Sequence, residues 1–233
     1  MSEQLTDDEQ VEALKKWWKE NGIAIIVGVV IGVGAIIGFW KWSEYAETRA
    51  LAASALYDEF ITALTDDKLD ANSSYGSLKK DYEGTSYAAF AALRMAAIDY
   101  GKDNTDKAVE HLRWATAHPG HDSIEHIARV RLAKMLVSKN ELDEAEKLLK
   151  DISEPAFDAQ YAAIRGDIHI KRGNIEQARS SYALALASTS FSGKQREYVQ
   201  MKLDDLGAGD IKTDDIKVEA EKTTETEKTG ESN

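Results

Sequence analysis

The 233-residue chain contains no cysteine. Disulfides, thiolate nucleophiles and zinc–thiolate sites are therefore excluded. The absence suits an oxidising compartment, where a stray thiol is a liability, without requiring one. Proline is nearly missing as well: Pro119 and Pro155 are the two in the chain. Alternating β-branched residues are scarce and alanine is abundant, so the chain reads as helical almost throughout. Positive charge is also short, with 29 Lys and Arg against 41 Asp and Glu, a net charge of −12. Nothing here can displace the counterions of a polyanion, and no nucleic-acid partner is expected. There is no G-x-S-x-G elbow, no Gly-rich phosphate loop and no H-E-x-x-H. The carboxylate pairs Asp66-Asp67 and Asp204-Asp205 read as solubilising turns. No cofactor and no catalytic residue is expected, and the chain is read as a binding protein rather than an enzyme.

What the chain does have is one uncharged, proline-free run, Ile23 to Trp40, IAIIVGVVIGVGAIIGFW. As a helix it reaches roughly 27 Å, against a hydrocarbon core of ~30 Å. Trp17, Trp18 and Lys19 precede it, and Trp40, Lys41 and Trp42 close it. Tryptophan settles at the headgroups because its ring is apolar at one end and can hydrogen-bond at the other. A transmembrane helix is predicted over 23–40, with the lipid bilayer as its surroundings. The exit, WKWSEY, is a poor site for signal peptidase, so the anchor is expected to stay uncleaved. Lys15, Lys16 and Lys19 before the span outnumber Lys41 and Arg49 after it, which places the N-terminus in the cytoplasm.

Residues 1–22 form the arm. Thr6 and Glu9 make a capping-box pattern, and Val11, Leu14 and Trp18 share one helical face before a break at Asn21-Gly22. The arm is an amphipathic helix on the membrane surface or a solvated tail. Inside the span, Gly28 and Gly32, then Gly34 and Gly38, form two G-x-x-x-G pairs. These let a partner helix approach closely, or reflect the general frequency of glycine in membrane helices.

Beyond the span, Ala46, Ala50, Ala53, Tyr57, Phe60 and Leu64 continue an apolar helical stripe, ended by Thr65-Asp66-Asp67. A shorter helix is predicted over 74–82, with Leu78 and Tyr82 on one face. From Thr85 the chain repeats. Ala108, Ala145 and Ala178 are 37 and 33 residues apart; twelve before each stands Ala96, Ala133 or Gly166, and four after each stands Leu112, Leu149 or Tyr182. Seven after come Ala115, Ile152 and Ala185. A period near 34 with small residues at a helix crossing is the tetratricopeptide pattern, in which stacked hairpins bury what one hairpin cannot. The third unit is the clearest; the first two carry Asp103 and Asn140 where the turn glycine, Gly173, stands in the third. A capping helix is predicted over 194–206, with Tyr198, Met201 and Leu206 as its stripe. From residue 207 to 233 the composition is polar and acidic, and a disordered tail is expected. The predicted fold is all-α: a single N-terminal transmembrane helix, then a tetratricopeptide-like helical-hairpin solenoid over 41–206.

Two groups of side chains invite a chemical reading. His111, His118, His121 and His126 cluster, but they straddle a helix end and a Pro-Gly loop and present no i, i+4 pair, so no metal site is expected. Arg94, Arg131 and Arg165 recur in the first helices of the hairpins. Their guanidinium forks suit the carbonyls and carboxylates of a bound peptide, or pair with neighbouring turns.

The run DEQVEALKKWWKENG (8–22), followed by GVVIGVGAIIG (28–38), resembles the N-terminus of the ancillary SecYEG translocon subunit family of Gram-negative bacteria. Gln200 to Leu206, QMKLDDL, is similar to that family's last helix. The resemblance covers roughly residues 8–206 and leaves out the tail. It implies an inner-membrane protein with one span, a cytoplasmic arm and a periplasmic repeat domain. It further implies association with the SecYEG translocon and with a membrane-anchored periplasmic prolyl-isomerase-like chaperone, help in passing exported polypeptides to periplasmic chaperones, and a link between the arm and the Rcs stress regulator. From the residues alone, a membrane-anchored scaffold for another envelope assembly complex stays open.

Overall fold

The computed structural model describes residues 7–66, 70–150, 152, 154–189 and 191–207. The Thr6 cap, the side chains of Glu9 and Leu14, and the tail from 208 onward lie outside the described residues. Among these residues there are nine helices and no strand, and the all-α expectation holds. The chain divides into two compact units, Met1–Ala55 and Leu56–Asn233.

The first unit is helical from residue 7 onward, within α1 (Asp7–Ala63). Its most apolar window has a mean hydropathy of 2.7 and is only 6% buried, unlike the core helix of a water-soluble fold. By length and composition it can cross a membrane. The break expected at Asn21-Gly22 is absent. Asn21 Nδ2 instead donates back to the Trp17 carbonyl at 3.0 Å, and the Trp18 ring covers Gly22.

The second unit is a series of helical hairpins. The first was not legible as one. The final residues of α1 carry Phe60, fully buried, whose ring lies 6.1 Å from Tyr75 on α2 (Ala71–Asp81). Ser74 Oγ donates to Glu59 at 2.9 Å. Ser74 and Leu78 stand 34 residues before Ala108 and Leu112, in the same register, and both are buried. A serine at the small-residue position hid this unit. The three expected hairpins follow: α3 (Ser86–Gly101) with α4 (Thr105–Ala117), α5 (Asp122–Ser138) with α6 (Leu142–Leu148), and α7 (Asp158–Lys171) with α8 (Ile175–Ala187).

The turns inside these three hairpins share one geometry. Asp103, Asn140 and Gly173 all have positive φ, at 60°, 64° and 78°. The next amide donates to the carbonyl five residues back in each case: Asn104 to Asp99, Glu141 to Leu136 and Asn174 to His169, all at 2.9 Å. This is a Schellman closure, and it satisfies carbonyls that the helix end would leave unpaired. Asp and Asn tolerate the left-handed conformation better than other side chains, so the degenerate repeats keep the turn without glycine.

Two elements depart from the sequence reading. α6 has seven residues where α4 and α8 have thirteen, so Ile152 lies beyond its end. Its last carbonyls are taken by arginines of the flanking first helices: Arg129 donates to Leu148 O at 3.2 Å and Arg165 to Leu149 O at 2.8 Å. The final helix, α9 (Gly193–Asp205), forms as expected but buries Val199, with Leu203 and Leu206 beside it. Tyr198 and Met201, expected in its packing stripe, are exposed. Val199, Leu203 and Leu206 follow i, i+4, i+7, and that face, not the Tyr198 face, meets the α7–α8 core.

Candidate docking groove

In each first helix the crossing residue points at its partner helix. The residue just after it, with those three and four further on, faces the other way. α3 thus presents Ala97 and Tyr100; α5 presents Lys134, Val137 and Ser138; α7 presents Asp167, Ile170 and Lys171. Two recesses result, each of about 410 Å³. One lies between α3 and α5, backed by Leu112. The other lies among α5, α7 and α9, backed by Tyr182. Lys134 and Ser138 line both, so the recesses form one groove across the first helices.

The groove's charge is opposite to that of the chain. Its walls carry Arg131, Lys134, Lys171 and Lys202 against Asp167 and Asp205, four cations to two carboxylates. Asp167 is already committed: Tyr182 Oη donates to its Oδ1 at 2.6 Å and Lys202 Nζ to the same oxygen at 2.5 Å. Burial raises the Tyr182 phenol well above its ordinary range, and the hydrogen bond to Asp167 adds to the rise. Lys202 also sits 4.4 Å from the Tyr198 ring centroid, a cation–π contact. Arg131 and Lys134, by contrast, have no hydrogen bond or close ion pair among the described residues. Lys134 has its pKa lowered, first by loss of hydration and then, against the attraction of Asp167, by the positive charges of Lys202 and Arg131. An open trough with apolar recesses and three cations, Arg131, Lys134 and Lys171, that have no hydrogen bond or close ion pair among the described residues suits a peptide segment carrying carboxylates, through charge-assisted hydrogen bonds.

Residues 15–208 match the family model of a tetratricopeptide repeat-like domain. The ancillary SecYEG translocon subunit of Escherichia coli (strain K12) is 30% identical over 200 residues, covering 86% of this chain and 96% of that protein. The chain belongs to the ancillary SecYEG translocon subunit family. The proteins of that name from Haemophilus influenzae and Neisseria gonorrhoeae are 28% and 23% identical over 206 and 208 residues, each covering 88% of this chain and 100% of the relative. No solved structure matches.

In this translocon-subunit family member the three arginines are not brought together. Arg131 lines the groove. Arg94 is exposed beside Tyr57, where its charge opposes the burial that raises the Tyr57 phenol. Arg165 stands one position off the register of the other two, next to Gly166 rather than two before it, and its guanidinium closes the end of α6. It lines a separate cavity of about 690 Å³ between α6 and α7. Ala96, Ala108, Ala133, Ala145, Gly166 and Ala178 are all buried at the helix crossings. Gly28, Gly32, Gly34 and Gly38 are exposed on α1, with open space around each.

The four clustered histidines go to four separate places. His111 bridges three helices: its Nε2 lies 3.0 Å from Asp99 Oδ2 on α3, and its Nδ1 2.8 Å from Tyr75 Oη on α2. His118 stacks on Trp114 at 4.7 Å. His121 caps α5, accepting from the Ser123 amide. His126 Nδ1 lies 2.6 Å from Tyr161 Oη, a phenol pushed up to about 12 by burial. The groove residues Lys134, Ser138 and Lys202 were not singled out from sequence. The usable signal was positional: the residue following each crossing residue, Ala97, Lys134 or Asp167, faces the groove.

Proposed function

We propose that the chain is a non-enzymatic accessory subunit of the SecYEG translocon. In this reading residues 23–40 cross the inner membrane, the arm (1–22) lies in the cytoplasm, and the repeat domain (41–206) works in the periplasm as a docking surface. The relatives carry the name of translocon subunits, and the single observation that supports docking is the open, net-positive groove built on the first helices of the repeats. Its occupants would be a membrane-anchored prolyl-isomerase-like chaperone or exported polypeptides on their way to periplasmic chaperones. The glycine pairs at Gly28–Gly32 and Gly34–Gly38 would meet a partner helix of the channel, and the arm would meet the Rcs regulator.

Gentle detergent extraction tests the proposal. The channel and the chaperone should co-purify with the chain, and photo-crosslinkers at Val33 and at Tyr100 should reach the channel and the chaperone or client respectively. Recovery of neither, with both crosslinkers silent toward them, overturns it. Crosslinks to outer-membrane assembly or division proteins would favour the scaffold reading. A reporter fused after Leu206 should be active only outside the cytoplasm.

A further inference from the structure

The match to the family stops at residue 208, and this chain continues to 233. The extension opens with residues 210–221, DIKTDDIKVEAE, five carboxylates and two lysines, with Ile211, Ile216 and Val218 between them. Its composition is complementary to the groove, which combines apolar recesses with the unpaired cations Arg131 and Lys134 on a protein of net charge −12. Position favours the meeting as well. Leu206 and Asp205 are themselves part of the wall of the second recess, and Arg179 donates to the Leu206 carbonyl, fixing the point from which the extension starts. Residue 210 follows Leu206 by four residues, a reach of up to about 14 Å.

We propose that residues 210–221 dock in the groove of their own chain, with Asp214 and Asp215 toward Arg131 and Lys134 and the isoleucines in the recesses. The extension is then a tethered competitor. A segment on so short a tether meets its site at an effective concentration on the order of mM. Even an intrinsically weak fit, with Kd near mM, fills the groove about half the time. Every competing ligand then sees its apparent Kd about doubled, and one binding in the micromolar range displaces the segment. The extension would thus raise, about twofold, the concentration at which a ligand fills the groove.

The test uses the full-length chain in native membranes, with a photo-crosslinking amino acid at Ser138, an exposed residue on the wall shared by both recesses. The expected product is a crosslink from 138 to 210–221 within one chain, with no heavy–light product in a mixed-isotope sample. Arg131→Glu with Lys134→Glu should cut its yield about tenfold, and adding Asp214→Lys with Asp215→Lys should restore at least half. The Asp214→Lys, Asp215→Lys pair alone leaves every residue of the groove unchanged and should lose the crosslink to the same extent, which keeps the test valid if the groove variant unfolds. Raising salt from about 0.05 to 0.5 M should weaken the wild-type product, because exposed charges are then screened. Yields unmoved by charge reversal, products joining two copies, or no product with 210–221 would each overturn the inference. Crosslinks to a partner protein alone would end self-occupancy while leaving the docking function standing; silence toward every protein would end both.

Discussion

The Tyr182 ring occupies the space that a β-carbon on Gly166 would need: the added atom would fall 2.3 Å from Cε1 and 2.5 Å from Cδ1. The other hairpins place alanine opposite leucine, Ala96 with Leu112 and Ala133 with Leu149, while this one places glycine opposite tyrosine. The crossing is thus a matched pair. Gly166→Ala should destabilise the domain by about 1–3 kcal/mol through overpacking, a fall in Tm of several degrees. The same substitution in a Tyr182→Leu background should cost much less. Equal costs in both backgrounds would show that the ring is not the obstacle.

The shared left-handed turns give a second expectation. Asn140→Gly should be neutral or stabilising by a few tenths of a kcal/mol, because glycine adopts φ near 64° freely. Asn140→Val should cost about 1–2 kcal/mol or more. Asp103 should behave in the same way. Urea midpoints of the four variants decide it; a stabilising valine would rule out backbone strain as the reason for Asp and Asn here.

Acid should loosen the hairpins. Burial lowers the pKa of His111 from 6.5, more than the nearby Asp99 raises it, and burial likewise lowers that of His169, whose Nδ1 is buried without a partner. The unfolded chain therefore binds protons at a pH where the folded chain does not. Stability is full above about pH 6.5 and is lost as pH falls through the lowered folded values. His111→Gln should flatten part of that slope in melting temperature between pH 7 and 5, and His169→Gln a further part. A slope untouched by both substitutions would assign it to other groups.

The last helix separates the pattern from the packing. Val199→Ala, at a residue only 4% exposed, should cost about 1.5–2.5 kcal/mol. Met201→Ser, on the open face, should stay within about 0.5 kcal/mol. The reverse order would restore the Tyr198–Met201 stripe that hydropathy alone suggests.

These contrasts show where sequence reasoning reached and where it stopped. The crossing residues were legible because small residues recur at a fixed register and nothing else satisfies close helix approach. The span was legible because uncharged length has few uses. The first hairpin escaped because Ser74 fills an alanine's place and Glu59 satisfies its hydroxyl. The groove escaped because its members follow no composition rule: Ala97, Lys134 and Asp167 share a register and nothing else. Arg165 misled because recurrence in a helix was read without counting its offset from Gly166.

The brevity of α6 has a mechanical consequence. It buries one residue, Ala145, where α4 and α8 each bury four, and its end is fastened by guanidinium groups from either side. Neighbour-to-neighbour adhesion is what makes such a stack act as one body. With so little of it from α6, the third and fourth hairpins, α5–α6 and α7–α8, meet at a seam held largely by the first helices and these two guanidinium groups.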